Sequence, residues 1–440
     1  LRLAGRTSSY AFKGKAMAAQ EIGRVLDVGA LVVGTVRRAG DRLRVSTQLV
    51  STADGKVLWN NVYESRSADV FAVQDEVTRA VVAALTPTLG GGAGGPKSAA
   101  QGGRGTTDAE AYELYLKGRY HFLERDAANV ARAIAFFGQA VARDPAFARA
   151  HAGLAMAYGT LPTYVADPTD SATALVAASA ERALALDSTL ADAQIALGMA
   201  FERQLRFADS EARYRAALAL EPSNVIGHHT LGFLLLTVGR TDEALAELRR
   251  ATQLDPLAKS TGSANATALL AARRFPEAEA ASRRVLALDS TFPRTIANLG
   301  LTQALAGQPD SAVRTLERGT RLHPDAPGQR SVLLFAYAAA GRWLDAERVR
   351  SQLRRPGGDR SGGVEAAFAE LVFGNREPLV RLLTTEGGQR RWRATRGAFG
   401  CNPLLDPLWS DARFRTAMRR ASVRACPLAR PWPLPRRPGV

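Results

Sequence analysis

Among 440 residues there are two cysteines, six lysines and no apolar run of eighteen or more, and each shortage removes a class of function. Without such a run the sequence is expected to have no membrane-spanning helix. No basic stretch followed by an apolar one opens the chain, so no export signal is expected either. Cys401 and Cys426 have no C-x-x-C partner and no histidine at ligand spacing, which excludes zinc-finger and thioredoxin-like motifs. Whether they pair in an oxidising compartment or stay as buried thiols is open from spacing alone. No H-R-D, D-F-G or G-x-G-x-x-G-x-V is present, which removes protein-kinase chemistry from this stretch of chain. The chain also opens at Leu1 rather than Met, and residues 1–4 read as a strand already under way, as in a piece of a longer protein.

What is present does not build a catalytic site. The run Gly91-Gly92-Ala93-Gly94-Gly95-Pro96-Lys97-Ser98 has the outline of a phosphate loop, but Pro96 stands where the glycine before lysine belongs, and no strand core precedes it. Residues 86–107 contain eight glycines and almost nothing apolar, the composition of a linker that cannot offset its ordering entropy by burial. His228 and His229 point about 100° apart on a helix, and none of His121, His151 and His323 adds a partner four residues on, so no metal site is expected. Glu243, Glu247, Glu277 and Glu279 sit among arginines and read as solvated ion pairs rather than as acids or bases. No cofactor is expected.

The net charge is +16. Twelve arginines lie between residues 390 and 437 against Asp406 and Asp411 alone, so much of the surplus belongs to the C-terminal end. With 52 arginines in the chain, this is a compositional bias rather than a phosphate-reading face, and nucleic acid is not the expected partner.

The organising feature is a repeat. Leu186-Asp187-Ser188, Leu220-Glu221-Pro222, Leu254-Asp255-Pro256, Leu288-Asp289-Ser290 and Leu322-His323-Pro324 recur at a constant step of 34 residues. Leu197-Gly198, Leu231-Gly232 and Leu299-Gly300 share one register, and Ala244, Ala278, Ala312 and Ala346 another, small residues where two helices of a hairpin must approach. A period of that length means one helix-turn-helix unit per repeat, stacked because a single pair cannot bury its apolar face. On these residues the chain resembles a tetratricopeptide array. The resemblance implies a mainly α fold, an α-solenoid of about seven units over residues 108–355. The second unit is nine residues longer around Leu161 to Pro168, capping helices occupy residues 356–420, and a loose basic tail fills 421–440.

Residues 1–85 read as a small α+β segment. A helix is expected over 16–26 with Ala18, Ile22, Val25 and Leu26 on one face, then a strand from Ala30 through Val36. A half-buried strand follows over 42–50, in which Leu43, Val45, Thr47 and Leu49 alternate with polar residues. Asp54-Gly55 marks a hairpin turn returning over 56–63, and Ser67 is a candidate cap for a last helix with Val70, Val73, Val77, Val81 and Ala84 inward. The wording Arg6-Thr7-Ser8-Ser9-Tyr10-Ala11-Phe12-Lys13-Gly14-Lys15, then Gly34-Thr35-Val36-Arg37-Arg38-Ala39-Gly40-Asp41-Arg42-Leu43-Arg44-Val45, Leu58-Trp59 and Val70-Phe71-Ala72-Val73-Gln74-Asp75-Glu76 resembles the FlgO/TolB-N-terminal-like domain of bacteria. The family's first strand and helix would precede Leu1, so the domain reads as N-terminally truncated. Tyr115-Leu116-Lys117-Gly118-Arg119-Tyr120 is similar to arrays attached to this module.

The resemblance implies a non-catalytic protein-interaction and regulatory or sensory region of a bacterial signalling protein. The favoured origin is the C-terminal region of a receptor-type Ser/Thr kinase, with an upstream nucleotide cyclase or winged-helix domain as the alternatives, and the resemblance leaves open whether this region lies outside the inner membrane, tied to it by an upstream segment, or in the cytoplasm. In a tetratricopeptide unit the first helix lines the concave groove, and the residues expected there are Ile195, Met199, Ile226, His229, Phe233, Leu236, Leu301 and Leu305. That lining is apolar and lacks the Lys and Asn set of carboxylate-clamp arrays, so an extended or helical apolar peptide is the expected ligand. Packing between repeats accounts for the same residues equally well.

Overall fold

The computed structural model describes residues 3–66, 70–85, 105–124, 127–161, 171–326, 328–355, 363–396 and 399–430. They form two compact units, residues 1–107 with 254–256, and residues 108–253 with 257–440. The glycine run 91–98, the nine residues 162–170 of the long second-unit loop, the Ser67 cap and residues 431–440 lie outside the described residues.

The first unit contains α1 (Arg6–Tyr10), α2 (Ala19–Leu26), β1 (Ala30–Ala39), β2 (Arg42–Ser51), β3 (Val57–Arg66) and α3 (Val70–Leu85). The strands make an antiparallel sheet in the order β1-β2-β3, with Val36 opposite Val45 and Val45 opposite Tyr63. Both hairpins turn on a glycine in the left-handed region, Gly40 at φ 60° and Gly55 at φ 74°, and the Lys56 amide donates to Asp54 Oδ1 at 3.2 Å. The alternation in β2 holds as far as Leu49, with Thr47 and Leu49 buried on either side of exposed Gln48, and ends at Val50, which is buried as well. Two expectations fail. Residues 3–5 form no strand and lead into the short helix α1, where the Ser9 hydroxyl bonds back to the Gly5 carbonyl. The second helix starts at Ala19 rather than residue 16, because residues 9–15 are wound into successive tight turns. Its buried face is Gly23 and Leu26, while Ala18 and Val25 are exposed.

The second unit is helical throughout. Seven helix pairs follow one another: α4 (Ala109–Glu124) with α5 (Ala127–Arg143), α6 (Ala148–Thr160) with α7 (Ser171–Leu186), α8 (Ala191–Arg203) with α9 (Phe207–Leu220), and α10 (Val225–Thr237) with α11 (Thr241–Leu254). They continue with α12 (Lys259–Ala271) and α13 (Phe275–Leu288), α14 (Pro293–Leu305) and α15 (Pro309–Leu322), and α16 (Gln329–Ala339) and α17 (Trp343–Arg354). Within a pair, a glycine of the first helix receives a large side chain of the second. A Cβ on Gly198, Gly232 or Gly300 would fall inside the van der Waals radius of Tyr214, Leu248 or Leu316. Ala244, Ala278, Ala312 and Ala346 are completely buried.

The turns repeat as strictly as the helices. Leu205, Gly239, Arg273, Gly307 and Gly341, each 34 residues from the next, all adopt positive φ between the two helices of a pair. Glycine is the residue that takes this conformation without steric cost, so Leu205 and Arg273 depart from the rule. The next residue immediately precedes the second helix. At Arg206, Arg240, Arg274 and Arg342 the guanidinium reaches the carboxylate three residues on, at 2.7, 2.6, 2.6 and 2.8 Å to Asp209, Glu243, Glu277 and Asp345.

After α17 come α18 (Val364–Val372), α19 (Glu377–Leu383) and α20 (Glu386–Arg396), then a 3-10 helix η1 (Pro403–Ser410) and α21 (Ala412–Arg420). Asp411 caps α21, accepting from the Arg413 amide at 2.9 Å. Cys401 and Cys426 are joined by a disulfide with Cα atoms 4.9 Å apart. The expected loose tail is corrected for residues 421–430: Val423 and Cys426 are buried, because the disulfide and a backbone hydrogen bond from Arg424 fix this stretch.

Candidate binding surface

The first helices of successive pairs pack against one another along the array, α6 on α8, α8 on α10, α10 on α12, α12 on α14 and α14 on α16. That packing sorts the eight expected groove residues into two groups. Ile195 and Leu236 are completely buried and Leu301 nearly so, so these three are core between helices and offer no surface to a ligand. Met199, Ile226, His229, Phe233 and Leu305 are half-buried. In α10 the sequence Val225-Ile226-Gly227-His228-His229-Thr230-Leu231-Gly232-Phe233-Leu234-Leu235-Leu236-Thr237 is apolar nearly all round, which signals extensive burial without saying which residues are covered. A helix of that kind is packed on several sides and cannot keep a whole face free.

Around this surface the charged residues are committed to one another. Arg240 binds Glu211 of the preceding unit with both carboxylate oxygens, at 2.8 and 2.7 Å, and Glu211 also accepts from Arg215. Burial pushes the Glu211 carboxyl up, but these guanidinium bonds outweigh it and leave it below its ordinary value. Arg350 likewise holds Glu370 at 2.9 and 2.7 Å, joining α17 to α18. His228 is bracketed by Glu247 Oε2 at 2.6 Å and the Pro222 carbonyl at 3.0 Å, so Glu247 is a partner across the helix pair rather than a purely solvated charge. Among the described residues no three His, Cys, Asp or Glu side chains gather at metal-binding distance, and no helix is long and apolar enough to cross a membrane.

The feature that sequence reasoning missed lies at the C-terminal end of α10, one turn beyond Phe233. The Gly400 amide donates to the Thr237 carbonyl at 2.9 Å and the Arg424 amide to the Val238 carbonyl at 2.9 Å. Two adjacent carbonyls, left over where a helix ends, are thus satisfied by two residues that flank the disulfide. The approach is close enough that a Cβ on Gly400 would strike Gly239 and the Leu236 carbonyl, and a Cβ on Gly239 would lie 3.0 Å from the Arg424 oxygen. One unit further on, Arg273 donates to the Cys401 carbonyl at 3.0 Å and to both oxygens of Asp406 at 2.7 and 2.8 Å. Burial pushes the Asp406 carboxyl up to about 6 even beside that guanidinium, and the Arg430 amide adds a bond at 3.3 Å. A lone glycine, a left-handed arginine and two distant cysteines carry no pairwise signal in one sequence.

Residues 227–256, from the first turn of α10 to the turn after α11, match the family model of the tetratricopeptide repeat. Those residues form a tetratricopeptide repeat, and the helical array as a whole is a tetratricopeptide-like solenoid of helix pairs. Over 151 residues the chain is 36% identical to "Putative adenylate cyclase 3" of Rhizobium meliloti (strain 1021), a match that takes in 34% of this chain and 25% of that protein. The chain thus spans about a quarter of the length of this curated relative. Among solved structures it is similar to YrrB, described as a TPR protein with an unusual peptide-binding site, at 19% identity and a TM-score of 0.34 over 48% of this chain and 97% of that one. It is also similar to PilW, described as a widely conserved type IV pilus biogenesis factor, at 20% identity and a TM-score of 0.42 over 47% and 92%. The tetratricopeptide architecture is one of protein–protein interaction.

Proposed function

We propose that this chain is the non-catalytic interaction and regulatory region of a larger bacterial signalling protein, in which a FlgO/TolB-like segment precedes a tetratricopeptide array that captures a peptide. The repeat array carries the reading, because stacked helix pairs present a long surface of first-helix side chains. The signalling context rests on the curated cyclase relative and on the wording of the first 85 residues. A cyclase is accordingly the favoured upstream partner over a kinase or a winged helix, and the sequence preceding Leu1 decides among them.

Of the expected lining, the half-buried Met199, Ile226, His229, Phe233 and Leu305 are assigned to the ligand, with Ile195, Leu236 and Leu301 as the floor beneath. Phe233→Ala tests the assignment. If Phe233 anchors a peptide, capture from a bacterial lysate weakens by about 2 kcal/mol or more while the thermal melt is unchanged. Loss of stability of about 3 kcal/mol, with no selective loss of a captured protein, would return Phe233 to the core and sink the groove.

A further inference from the structure

The five turns that share one register differ in what they touch. Gly239 and Arg273, in neighbouring units, both meet the C-terminal segment. Arg273 is also one of only two non-glycine residues at that register, so a strained backbone and the anchoring guanidinium occur at the same position. The disulfide explains how the anchor works. Gly400 and Arg424 are far apart in sequence, yet their amides must reach consecutive carbonyls, Thr237 and Val238. The Cys401–Cys426 bond holds the two strands side by side at the required spacing.

We propose that residues 399–430 are a thiol-sensitive latch, seated on the turns at Gly239 and Arg273 when the Cys401–Cys426 disulfide is closed and released from them when it is reduced. Both cysteines are buried, so a reductant reaches the sulfurs only when the segment lifts; reduction then traps the lifted form. The step balances with a dithiol as reductant. Its two thiols supply two electrons and two protons, the Sγ–Sγ bond of the cystine breaks, Cys401 and Cys426 become thiols, and the dithiol closes into its own disulfide. Release frees the Thr237 and Val238 carbonyls and the Arg273 guanidinium on one edge of units four and five. That edge then presents two backbone acceptors and a cation, chemistry suited to an extended acidic segment that would replace Gly400 and Asp406.

Native-state hydrogen exchange on the full chain tests the latch through two reporters, the Gly400 and Arg424 amides. In the oxidised protein both are expected to be protected. After reduction with dithiothreitol, and in Cys401→Ser/Cys426→Ser, they are expected to exchange at least about tenfold faster while the amides of α10 keep their protection. Arg273→Gly provides an independent reading. If Arg273 is only a turn residue, glycine relieves its strain, the melting temperature rises and the two amides stay protected; if it is the anchor, they exchange faster. The proposal is overturned if reduction leaves both amides as protected as before, or if α10 loses protection together with them, since the cystine would then be ordinary structural cross-linking. Should the serine variant fail to fold, reduction of the folded wild type reads the same two amides.

Discussion

Leu205 shows what a single residue costs an array of identical turns. It holds φ 61° where Gly239, Gly307 and Gly341 do the same without a Cβ, so Leu205→Gly is expected to raise the urea midpoint, by about 1 kcal/mol in stability. A rise of that kind would be absent if the leucine side chain makes packing worth as much as the strain. Gly300 is the converse case: it is pressed against Leu316, and Gly300→Val is expected to cost about 1–3 kcal/mol by overpacking, read from the same denaturation. Asp289 contributes one part of the pH dependence. The Lys259 ammonium and the Thr291 hydroxyl hold its carboxyl down at about 2 against an ordinary 3.8, so the folded form favours the ionised group. Its stabilisation is complete above the ordinary value and is lost as pH falls through the folded one. Lys259→Gln should therefore destabilise the protein at pH 5, and the difference from wild type should shrink between roughly pH 4 and 2 in thermal melts.

At the scale of elements, the sequence was legible wherever a period enforced it. The 34-residue step placed the regular helix pairs, and the buried alanine register emerged as drawn, because both follow from the geometry of one helix lying against another. The α20 helix was not legible. Its sequence, Glu386-Gly387-Gly388-Gln389-Arg390-Arg391-Trp392, has two glycines in the first turn and little apolar besides Trp392. It forms because Trp392 is completely buried and the Gln389 side chain donates to the Leu383 carbonyl at 2.9 Å, tertiary contacts that propensity cannot register. The groove lining was legible in composition and illegible in exposure. Ile195, Leu236 and Leu301 look identical to Phe233 on a helical wheel, and only the neighbouring first helices decide which of them is covered.

Over the whole helical unit, an open array is expected to unfold from both ends, each unit depending only on its neighbours. The segment fastened at Gly239 and Arg273 changes that expectation for one end. In oxidised protein, hydrogen exchange should show the first three units opening at lower free energy, with units four to seven and the closing helices protected as one cooperative block. A smooth gradient of protection from Arg273 to Arg420 would contradict it.

The fastening also acts as a ruler. Between Arg273 and Gly400 lies a set number of helix pairs, and the return of the chain to Gly239 is satisfied only by that copy number. An extra copy inserted before Gly239 would leave the fit untouched, whereas one inserted after Arg273 would carry Gly400 and Asp406 out of reach by the thickness of a helix pair. An extra unit is therefore expected to be tolerated on the N-terminal side of the fourth unit and to break the fastening beyond the fifth.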